Sequence, residues 1–256
     1  RFGRDVSQTN RSRSMEKPRL RKKNLPPFFD RLDNPEFPQL SQGGTVDMTP
    51  LPPDLSPFDR DVLQVCGNLG NRARVEDFQA LLTAHPQVLE RIKTAVKGEI
   101  FPGRNTAAEF LADLTKIWFD RHGFEHIFCG NIHDGKLKGM HYVGRYLQLQ
   151  EQGLAGKLPD NQHQEEAIAG VVYTLGVLVK YGDRVIYDRR NGYALVTDAI
   201  ELLIAATVAF KKTTRQRSVY TFPVVDADSG HTYTAVLVKE DNAIVTFYPD
   251  ATPPDR

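Results

Sequence analysis

Two histidines in the middle of the chain have the surroundings of an acid–base pair. His126 lies in residues 123–130, which read GFEHIFCG, and His141 follows fifteen positions later in residues 139–142, which read GMHY. An imidazole has an unperturbed pKa of about 6.5, so it exchanges protons readily near neutral pH. Two imidazoles can divide one reaction between them, because one ring accepts a proton while the other donates one.

RNA is a substrate class that suits such a pair, because its 2′-hydroxyl is a built-in nucleophile. A neutral imidazole accepts the 2′-hydroxyl proton as the 2′-oxygen attacks phosphorus, and a protonated imidazole delivers a proton to the leaving 5′-oxygen. A nearby cation then stabilises the charge on the phosphoryl oxygens. Most histidines are ordinary surface residues, so the spacing needs support from the neighbouring sequence.

A metal site is the first alternative for these histidines. Zinc sites use three or four ligands at recognisable spacing. Glu125, His126, His133 and His141 do not match such a pattern. Cys129 has no neighbour in the sequence that would lower the pKa of a thiol and make it a nucleophile. The sequence therefore predicts no metal ligands and no catalytic cysteine.

The two histidine motifs and a terminal segment together resemble a known nuclease family. The terminal segment is residues 246–249, which read TFYP. In this order and at this distance, the segments resemble the EndoU family of uridylate-preferring endoribonucleases over about residues 123–250. The resemblance implies two small antiparallel sheets flanked by helices. It also implies cleavage of single-stranded RNA 3′ of uridine to a 2′,3′-cyclic phosphate and a 5′-hydroxyl, with no required cofactor and with manganese stimulation in some members.

The resemblance also implies roles for individual residues. His141 is expected to act as the general base on the 2′-hydroxyl, and His126 as the general acid at the leaving oxygen. Tyr248 is expected to stack on the ribose or base, a contact worth roughly 1–3 kcal/mol. Thr246 is expected to contact the uracil. The alternatives are a core tyrosine at a strand end and an ordinary strand threonine.

The catalytic lysine of the family is where this sequence departs from the pattern. Lys180 lies thirty-nine positions after His141, near the expected place, but the residues that usually follow that lysine are not evident. Lys180 is the predicted third catalytic residue, and a solvated lysine on a hairpin is the alternative. Lys157, Arg189 and Arg190 are the other candidates for the cation.

Composition is that of an ordinary globular protein. The chain has 256 residues and a net charge of +1, so nucleic-acid binding needs local patches rather than overall charge. Two cysteines, Cys66 and Cys129, cannot make a disulfide framework and suit a reducing compartment; Cys66 is expected to be remote. The sequence predicts no membrane span and no signal peptide. A cytoplasmic location is the expectation.

The sequence predicts three regions. Residues 1–55 start with nine basic and two acidic side chains within residues 1–23 and continue with many prolines. They predict a disordered basic tail, then a linker or an extended arm docked through Phe28, Phe29 and Phe37. Residues 56–104 form a helical region, with helices over 58–65, 75–82 and 86–96. Residues 105–256 form the EndoU-like domain, which starts with a helix capped at Asn105-Thr106.

Past residue 123 the pattern favours strands. Strands are expected over 126–129, 142–149, 169–180, 184–187, 219–225, 232–239 and 243–248, and the last three form an antiparallel meander. Turns are expected at Asp134-Gly135, Gly182-Asp183 and Asn191-Gly192. One apolar helix is expected between Thr197-Asp198 and about Lys212. Helices followed by sheets make the fold class α+β.

Two other functions compete with that of an active endoribonuclease. One is an inactive RNA-binding module that keeps the fold but has lost the lysine. The other is a toxin domain, the C-terminal cargo of a larger protein, which is delivered into a target cell's cytoplasm and whose cleft an immunity protein blocks. The expected partner is single-stranded RNA or tRNA. The sequence leaves open the natural RNA, the oligomeric state and the role of residues 1–100.

Overall fold

The helices of the N-terminal half begin where the sequence predicts. The computed structural model describes residues 25–39, 43–159, 161 and 163–250, so the predicted basic tail over 1–23 lies outside the described residues. Four helices come first: α1 (Pro57–Cys66), α2 (Val75–Ala84), α3 (Pro86–Ala95) and α4 (Ala107–Phe119). Ser56 and Thr106 form capping boxes with the third residues of α1 and α4. Each box satisfies two N–H groups that a helix start leaves unpaired.

The residues before α1 form a packed arm. Phe28 and Phe29 are buried, and their backbone N–H groups donate to the Gln150 side chain at 2.6 and 2.9 Å. Two short strands, β1 (Phe37–Pro38) and β2 (Thr45–Val46), pair antiparallel. The structure therefore agrees with the docked arm, which is one of the two alternatives for the residues that follow the tail.

Two predicted strands are helical in the structure. Residues 126–129 belong to a short π-helical segment, Glu125–Cys129, and residues 142–149 fall almost entirely in α5 (Val143–Glu151). In α5 the buried side chains of Val143, Tyr146 and Leu147 lie at positions i, i+3 and i+4, which share one helix face. A short apolar run is compatible with either structure, and packing on the core favours the helix here.

A hairpin and a four-stranded sheet contribute to the centre of the fold. Strands β3 (Asn131–His133) and β4 (Lys136–Lys138) form the predicted hairpin at Asp134-Gly135. Strand β7 (Val172–Tyr181) pairs antiparallel with β5 (Ala155–Lys157), β6 (Glu165–Ile168) and β8 (Arg184–Ala194). The predicted turn at Asn191-Gly192 is wrong, because both residues belong to β8 and pair with β7.

The C-terminal part is the predicted helix and meander. Helix α6 (Ala199–Lys212) begins after Asp198, whose side chain accepts the Glu201 N–H at 2.8 Å. Strands β9 (Ser218–Val225), β10 (Thr232–Glu240) and β11 (Ala243–Pro249) form a sheet in the order β11-β10-β9. The fold is α+β, with small antiparallel sheets flanked by helices, as predicted. Among the described helices, none is long and apolar enough to span a bilayer.

One hydrophobic core joins the helices to the sheets. Its buried side chains run from Phe28 in the arm to Phe247 in β11, across the predicted boundary between residues 104 and 105. The predicted division into residues 1–55, 56–104 and 105–256 stays a prediction, because this core continues across its second boundary. Trp118, which its helical spacing assigns to the core, is fully buried, and its indole N–H donates to Thr207 Oγ1 at 3.1 Å.

A disulfide joins α1 to the π-helical segment. Cys66 ends α1 and Cys129 ends the segment, and their Cα atoms lie 5.2 Å apart although 63 positions separate them in sequence. The expectation that Cys66 is remote is therefore wrong, because the segment folds back onto α1. The bond fixes the backbone close to His126 to the helical region.

A buried carboxylate connects α1 and α6 to the residue after His141. Asp59 is 2% exposed, and its Oδ1 accepts from the Tyr142 hydroxyl at 2.6 Å and from the Ala199 N–H at 2.9 Å. Its Oδ2 accepts from the Ser56 N–H at 2.8 Å. A buried carboxylate needs such donors, since an unpaired charge in the core is costly. The cluster thereby holds the second histidine motif against the helices.

Removing the Tyr142 hydroxyl is expected to destabilise the fold. Tyr142→Phe leaves the Asp59 carboxylate one donor short, and a hydrogen bond to a charged group contributes about 1.5–3 kcal/mol. Urea unfolding followed by Trp118 fluorescence should give a free energy of unfolding lower by that amount. The exposed Tyr187 supplies the control, because Tyr187→Phe should leave the value unchanged. Equal losses in both variants would contradict the role of this bond.

Candidate active site

The predicted histidines and the terminal segment meet in one cleft. It has a volume of about 430 Å³, and its walls come from the two histidines, residues 172–174 of β7, residues 190–192 of β8, and Thr246, Tyr248, Pro249 and Asp250 in and just after β11. His126, His141, Thr246 and Tyr248 all line it. Four of the five predicted site residues are therefore together, although more than a hundred positions separate the first from the last.

The π-helical segment and the β3–β4 hairpin fix His126. Its Nδ1 lies 3.2 Å from Asn131 Oδ1, so Nδ1–H donates to that oxygen and Nε2 is left for a substrate. The His126 backbone oxygen accepts from the Met140 N–H at 2.7 Å, which joins the two motifs. Gly139 permits this approach, because a Cβ there would lie 2.0 Å from that oxygen and its φ is +68°.

A strained residue and a backbone carbonyl orient His141. Met140 has a φ of 67°, a left-handed conformation that is unusual for a residue with a side chain and is concentrated at functional sites. His141 Nδ1 lies 3.4 Å from the Gly192 carbonyl oxygen. That oxygen only accepts, so Nδ1 carries the proton and Nε2 carries the lone pair. The His126 and His141 ring centroids are 5.9 Å apart.

Both imidazoles favour the neutral form in the free protein. Burial lowers the pKa of His126, the hydrogen bond to Asn131 opposes that shift, and the charge of Lys138 adds to it. Burial and then the neighbouring His126 lower the pKa of His141 to about 3. His141 is therefore uncharged at neutral pH, which is the state that a proton acceptor requires.

A reaction that needs neutral His141 and protonated His126 should have an acid pH optimum. We expect kcat/KM to rise as the pH passes the pKa of His141, about 3, because the base loses its proton. It should fall as the pH passes the pKa of His126, which lies below the usual 6.5, because the acid loses its proton. A pH profile of kcat/KM checks this, and an alkaline limb centred above 6.5 would contradict it.

Strand β11 presents Thr246 and Tyr248 to the cleft on one face, because alternate residues of a strand point to the same side. The Tyr248 ring centroid lies 5.4 Å from that of His141. Thr246 is 9% exposed, and its Oγ1 has no hydrogen-bond partner among the described residues. An unpaired buried hydroxyl costs free energy. A ligand that bonds to it removes that cost.

Lys180, the predicted third catalytic residue, is not brought to the cleft. It is exposed near the end of β7, six residues beyond Thr174, which lines the cleft. Six strand residues span about 20 Å. Arg190 in β8 does line the cleft. The structure therefore separates the predicted lysine from the histidines and places an arginine beside them.

The other two candidate cations are occupied elsewhere. Lys157 is buried against the arm, where its Nζ donates to the Met48 carbonyl at 3.3 Å and lies 4.9 Å from the centre of the Phe37 ring. Arg189 lies over the Tyr187 ring at 5.4 Å. Neither lines the cleft formed by the histidine motifs. Of the four cations that the sequence offers for the role, Arg190 alone has the right location.

The groups that orient the histidines are absent from the sequence-based prediction. Asn131 directly follows the first motif, so its polar side chain was an available signal. Gly192 acts through its backbone oxygen and gives no side-chain signal. Asn191 donates through Nδ2 to the Gly139 carbonyl at 2.8 Å and so ties β8 to the second motif. The Asn191-Gly192 pair, whose composition suggested a turn, instead shapes the cleft wall.

A known protein family matches the part of the chain that forms this cleft. The profile described as bacterial EndoU nuclease matches residues 120–251, slightly more than half of the chain. The chain belongs to the EndoU family. The matched range contains both histidine motifs, β8 with Arg190, and the terminal segment. The predicted resemblance is confirmed, and helices α1 to α4 precede the part that carries the EndoU match.

Individual EndoU relatives match shorter pieces. Uridylate-specific endoribonuclease D of Xenopus laevis is 39% identical over 59 residues, which are 19% of this chain and 19% of that protein. The uridylate-specific endoribonuclease of Bos taurus is 32% identical over 81 residues, which are 25% of this chain and 20% of that protein. The chain thus spans about a fifth of the length of the relatives it matches.

A solved EndoU structure has the same fold. The structure of XendoU, described as a splicing-independent snoRNA-processing endoribonuclease, aligns with a TM-score of 0.50 over 76% of this chain and 78% of that chain. The sequence identity is 14%, so the alignment concerns the fold alone. It agrees with the predicted α+β class of helices and small antiparallel sheets.

Proposed function

We propose that this EndoU protein is an endoribonuclease that cleaves single-stranded RNA at uridylates and requires no cofactor. The observation that carries the proposal is a pair of imidazoles 5.9 Å apart whose Nδ1 atoms are held by Asn131 and Gly192. Both Nε2 atoms are thereby left for one substrate in the cleft. Membership of the EndoU family and the activity named for its relatives support the same function.

The proposed reaction uses only the RNA and the side chains of His126 and His141. Neutral His141 accepts the 2′-hydroxyl proton at Nε2 while the 2′-oxygen bonds to the adjacent phosphorus. Protonated His126 donates from Nε2 to the 5′-oxygen as the P–O5′ bond breaks. The products are a 2′,3′-cyclic phosphate and a 5′-hydroxyl. The resemblance gives the role of base to His141, whose lowered pKa keeps it neutral at neutral pH, and a bound phosphate favours the protonated form of His126.

Arg190 is the cation that we assign to the phosphoryl oxygens. It is two residues from Gly192, whose carbonyl holds His141, and it lines the same cleft. A guanidinium presents parallel N–H donors that match two oxygens of a phosphate, and it stays charged at every working pH. Arg190 thus takes the role that the resemblance gives to a lysine, and Lys180 becomes a solvated surface residue.

Thr246 and Tyr248 are the residues that we assign to uridine selection. The unpaired Thr246 hydroxyl can donate to a uracil carbonyl oxygen or accept from the uracil N3–H. The Tyr248 ring lies beside His141 and offers a surface on which the ribose or base can stack. Together they hold a uridine whose 2′-hydroxyl lies next to the proposed base.

Four oligonucleotides test the activity. Each carries one ribonucleotide, U, C, A or G, in a 2′-O-methyl background, so only one linkage has a free 2′-hydroxyl. In EDTA, we expect cleavage after uridine to exceed cleavage after the other three by at least about tenfold, a difference of about 1.4 kcal/mol. Equal cleavage of all four would contradict uridine selection. Binding without cleavage would favour the inactive RNA-binding module.

The disulfide favours the toxin context as a second candidate. Disulfides form and persist in oxidising environments and are rare in cytosolic proteins, and Cys66 and Cys129 are paired here. We therefore favour export through an oxidising compartment over a lifetime in a reducing cytoplasm. In that setting a partner that covers the cleft would protect the producing cell.

Expression in a naïve host tests the toxin candidate. The active chain should arrest growth, and His141→Ala should be harmless. A small protein encoded beside this chain should co-purify with it and block cleavage of the uridine oligonucleotide. Harmless expression of a chain that cleaves RNA in vitro would contradict the toxin candidate and leave the nuclease proposal standing.

A further inference from the structure

The first half of β8 is exposed and leads into the cleft. In the part of the chain that the structure describes, β8 is hydrogen-bonded to β7 along one edge and to no strand along the other. Val185, Tyr187 and Arg189 are all exposed, and alternate residues of a strand point to the same face. Arg190 follows them and lines the cleft. This face of β8 therefore continues the cleft wall outward.

A tyrosine and an arginine on this face form a stacked pair. The centre of the Arg189 guanidinium lies 5.4 Å from the centre of the Tyr187 ring, which is a cation–π contact. Tyr187 is nevertheless 44% exposed, so its ring still has free surface. Proteins bind single-stranded RNA with this combination, because bases stack on aromatic rings and arginines neutralise phosphates.

A shift in strand register separates the roles of two neighbouring arginines. The pairing of β7 with β8 is irregular between Leu175 and Val177. Two β8 residues, Arg189 and Arg190, oppose one β7 residue at that point. A bulge of this kind twists the strand and redirects side chains, and bulges are common beside active sites. Arg189 thereby lies over Tyr187, whereas Arg190 lines the cleft.

Lys138 joins this face to the His126 side of the cleft. It is an exposed residue of β4, and β4 packs beside β8. Burial lowers the pKa of His126, and the charge of Lys138 lowers it further. Burial raises the pKa of Asp188, the residue between Tyr187 and Arg189, and the charge of Lys138 opposes that rise. The Lys138 ammonium is therefore close to both the proposed general acid and the exposed part of β8.

The proposed reaction gives the RNA a direction in the cleft. The uridine lies with Thr246 and Tyr248 on β11, and its 2′-hydroxyl lies next to His141. His126 protonates the 5′-oxygen of the following nucleotide, so the RNA 3′ of the uridine extends from the cleft on the His126 side. Lys138 and the exposed face of β8 lie on that same side.

We propose that Lys138, Tyr187 and Arg189 bind the single-stranded RNA that lies 3′ of the cleaved linkage. The two cations neutralise phosphates, and a base stacks on the Tyr187 ring. Among the described residues neither cation forms an ion pair, which favours a polyanion over an apolar protein surface as the partner. Tyr187 is three residues from Arg190, and three strand residues span roughly 10 Å, so the stacked base lies beyond the cleaved phosphate. The inference rests on the proposed nuclease function and adds a substrate contact outside the cleft.

Binding of uncleavable RNA tests this surface without depending on cleavage. A short strand carries a single 2′-deoxyuridine in a 2′-O-methyl background, and two longer strands add about six nucleotides at its 3′ or its 5′ end. Fluorescence anisotropy with the full chain should give a Kd at least about tenfold lower for the 3′-extended strand than for the short strand. The 5′-extended strand has the same length and charge, and it should bind at least about fivefold more weakly than the 3′-extended strand.

Substitutions of the exposed side chains supply the matched comparison. Tyr187→Ala should raise the Kd of the 3′-extended strand about fivefold or more, because it removes the ring on which a base stacks. Tyr187→Phe keeps the ring and should keep the wild-type Kd. Arg189→Ala should weaken binding and reduce its salt dependence, because one phosphate contact is lost. All three variants should keep the wild-type thermal midpoint, since both side chains are exposed.

Two results would overturn the assigned surface. One is equal Kd values for the 3′-extended and 5′-extended strands. The other is wild-type binding by both Tyr187→Ala and Arg189→Ala, which would leave the exposed face of β8 to a protein partner. Cleavage of the single-ribouridine oligonucleotide in EDTA reports on the nuclease proposal separately. A preference for the 3′ extension without cleavage would retain the surface in an inactive RNA-binding module.

Discussion

His141→Ala is expected to lower kcat/KM for the single-uridine RNA by about 10³- to 10⁴-fold. The variant removes the group that accepts the 2′-hydroxyl proton, and positioned acid–base groups contribute about 10²- to 10⁴-fold each. Burial lowers the pKa of His141 to about 3, so the ring is neutral and able to accept a proton at neutral pH. Its ring also packs beside Tyr248. Single-turnover cleavage rates measure the loss.

His133→Ala is the matched control for this variant. His133 is an exposed histidine in the β3–β4 hairpin and does not line the cleft. The His133→Ala variant should cleave at the wild-type rate, and both variants should keep the wild-type thermal midpoint. A His141→Ala protein that folds normally and cleaves within a factor of about ten of wild type would contradict the assigned base.

Arg190→Ala is expected to lower kcat by about 10²- to 10³-fold. The loss of one group that stabilises developing oxyanion charge typically costs this much. Arg190→Lys should recover part of the rate, because a lysine supplies charge but not the paired N–H donors. Rapid-quench kinetics under saturating RNA separate this effect from weaker binding.

Lys180→Ala distinguishes the arginine from the lysine that the resemblance suggests. Lys180 is exposed about 20 Å along β7 from the cleft, so its removal should leave kcat unchanged. A large loss in Lys180→Ala with none in Arg190→Ala would reverse the assignment.

Lys138→Ala is a useful third variant, because the Lys138 charge lowers the pKa of His126. Its removal should shift the alkaline limb of the pH profile upward.

Local signals in the sequence predict much of this fold. Ser56, Thr106 and Asp198 each cap a helix through side-chain hydrogen bonds within the first turn. Asp134-Gly135 makes its hairpin through the backbone preferences of those two residues. Such features depend on neighbouring residues alone, so a single sequence contains them.

Features that depend on packing are the ones that the sequence hides. Residues 126–129 and 142–149 are apolar runs whose conformation follows from the core they contact, and both are helical. Cys66 and Cys129 meet only because α1 and the π-helical segment pack together. Such contacts join residues far apart in sequence, and spacing along the chain does not encode them.

The candidate site divides in the same way. The motifs identify His126, His141, Thr246 and Tyr248, and the structure brings these four together. The cation depends on the register of β7 against β8, which has a bulge between Leu175 and Val177. The spacing from His141 that predicts Lys180 is counted along the sequence, so it does not reveal such a shift in strand register. The Gly192 carbonyl that holds His141 is a backbone group, which every residue has.

The most direct test of the two-histidine mechanism is the fate of the 2′-hydroxyl. Two oligonucleotides are identical except at one position, where one has ribouridine and the other has 2′-deoxyuridine. Each is incubated with the protein in EDTA, and the masses of the products are measured by mass spectrometry. We predict a 2′,3′-cyclic phosphate and a 5′-hydroxyl from the ribouridine strand and no cleavage of the deoxyuridine strand. Cleavage of the deoxyuridine strand, or a 5′-phosphate on either product, would contradict the mechanism.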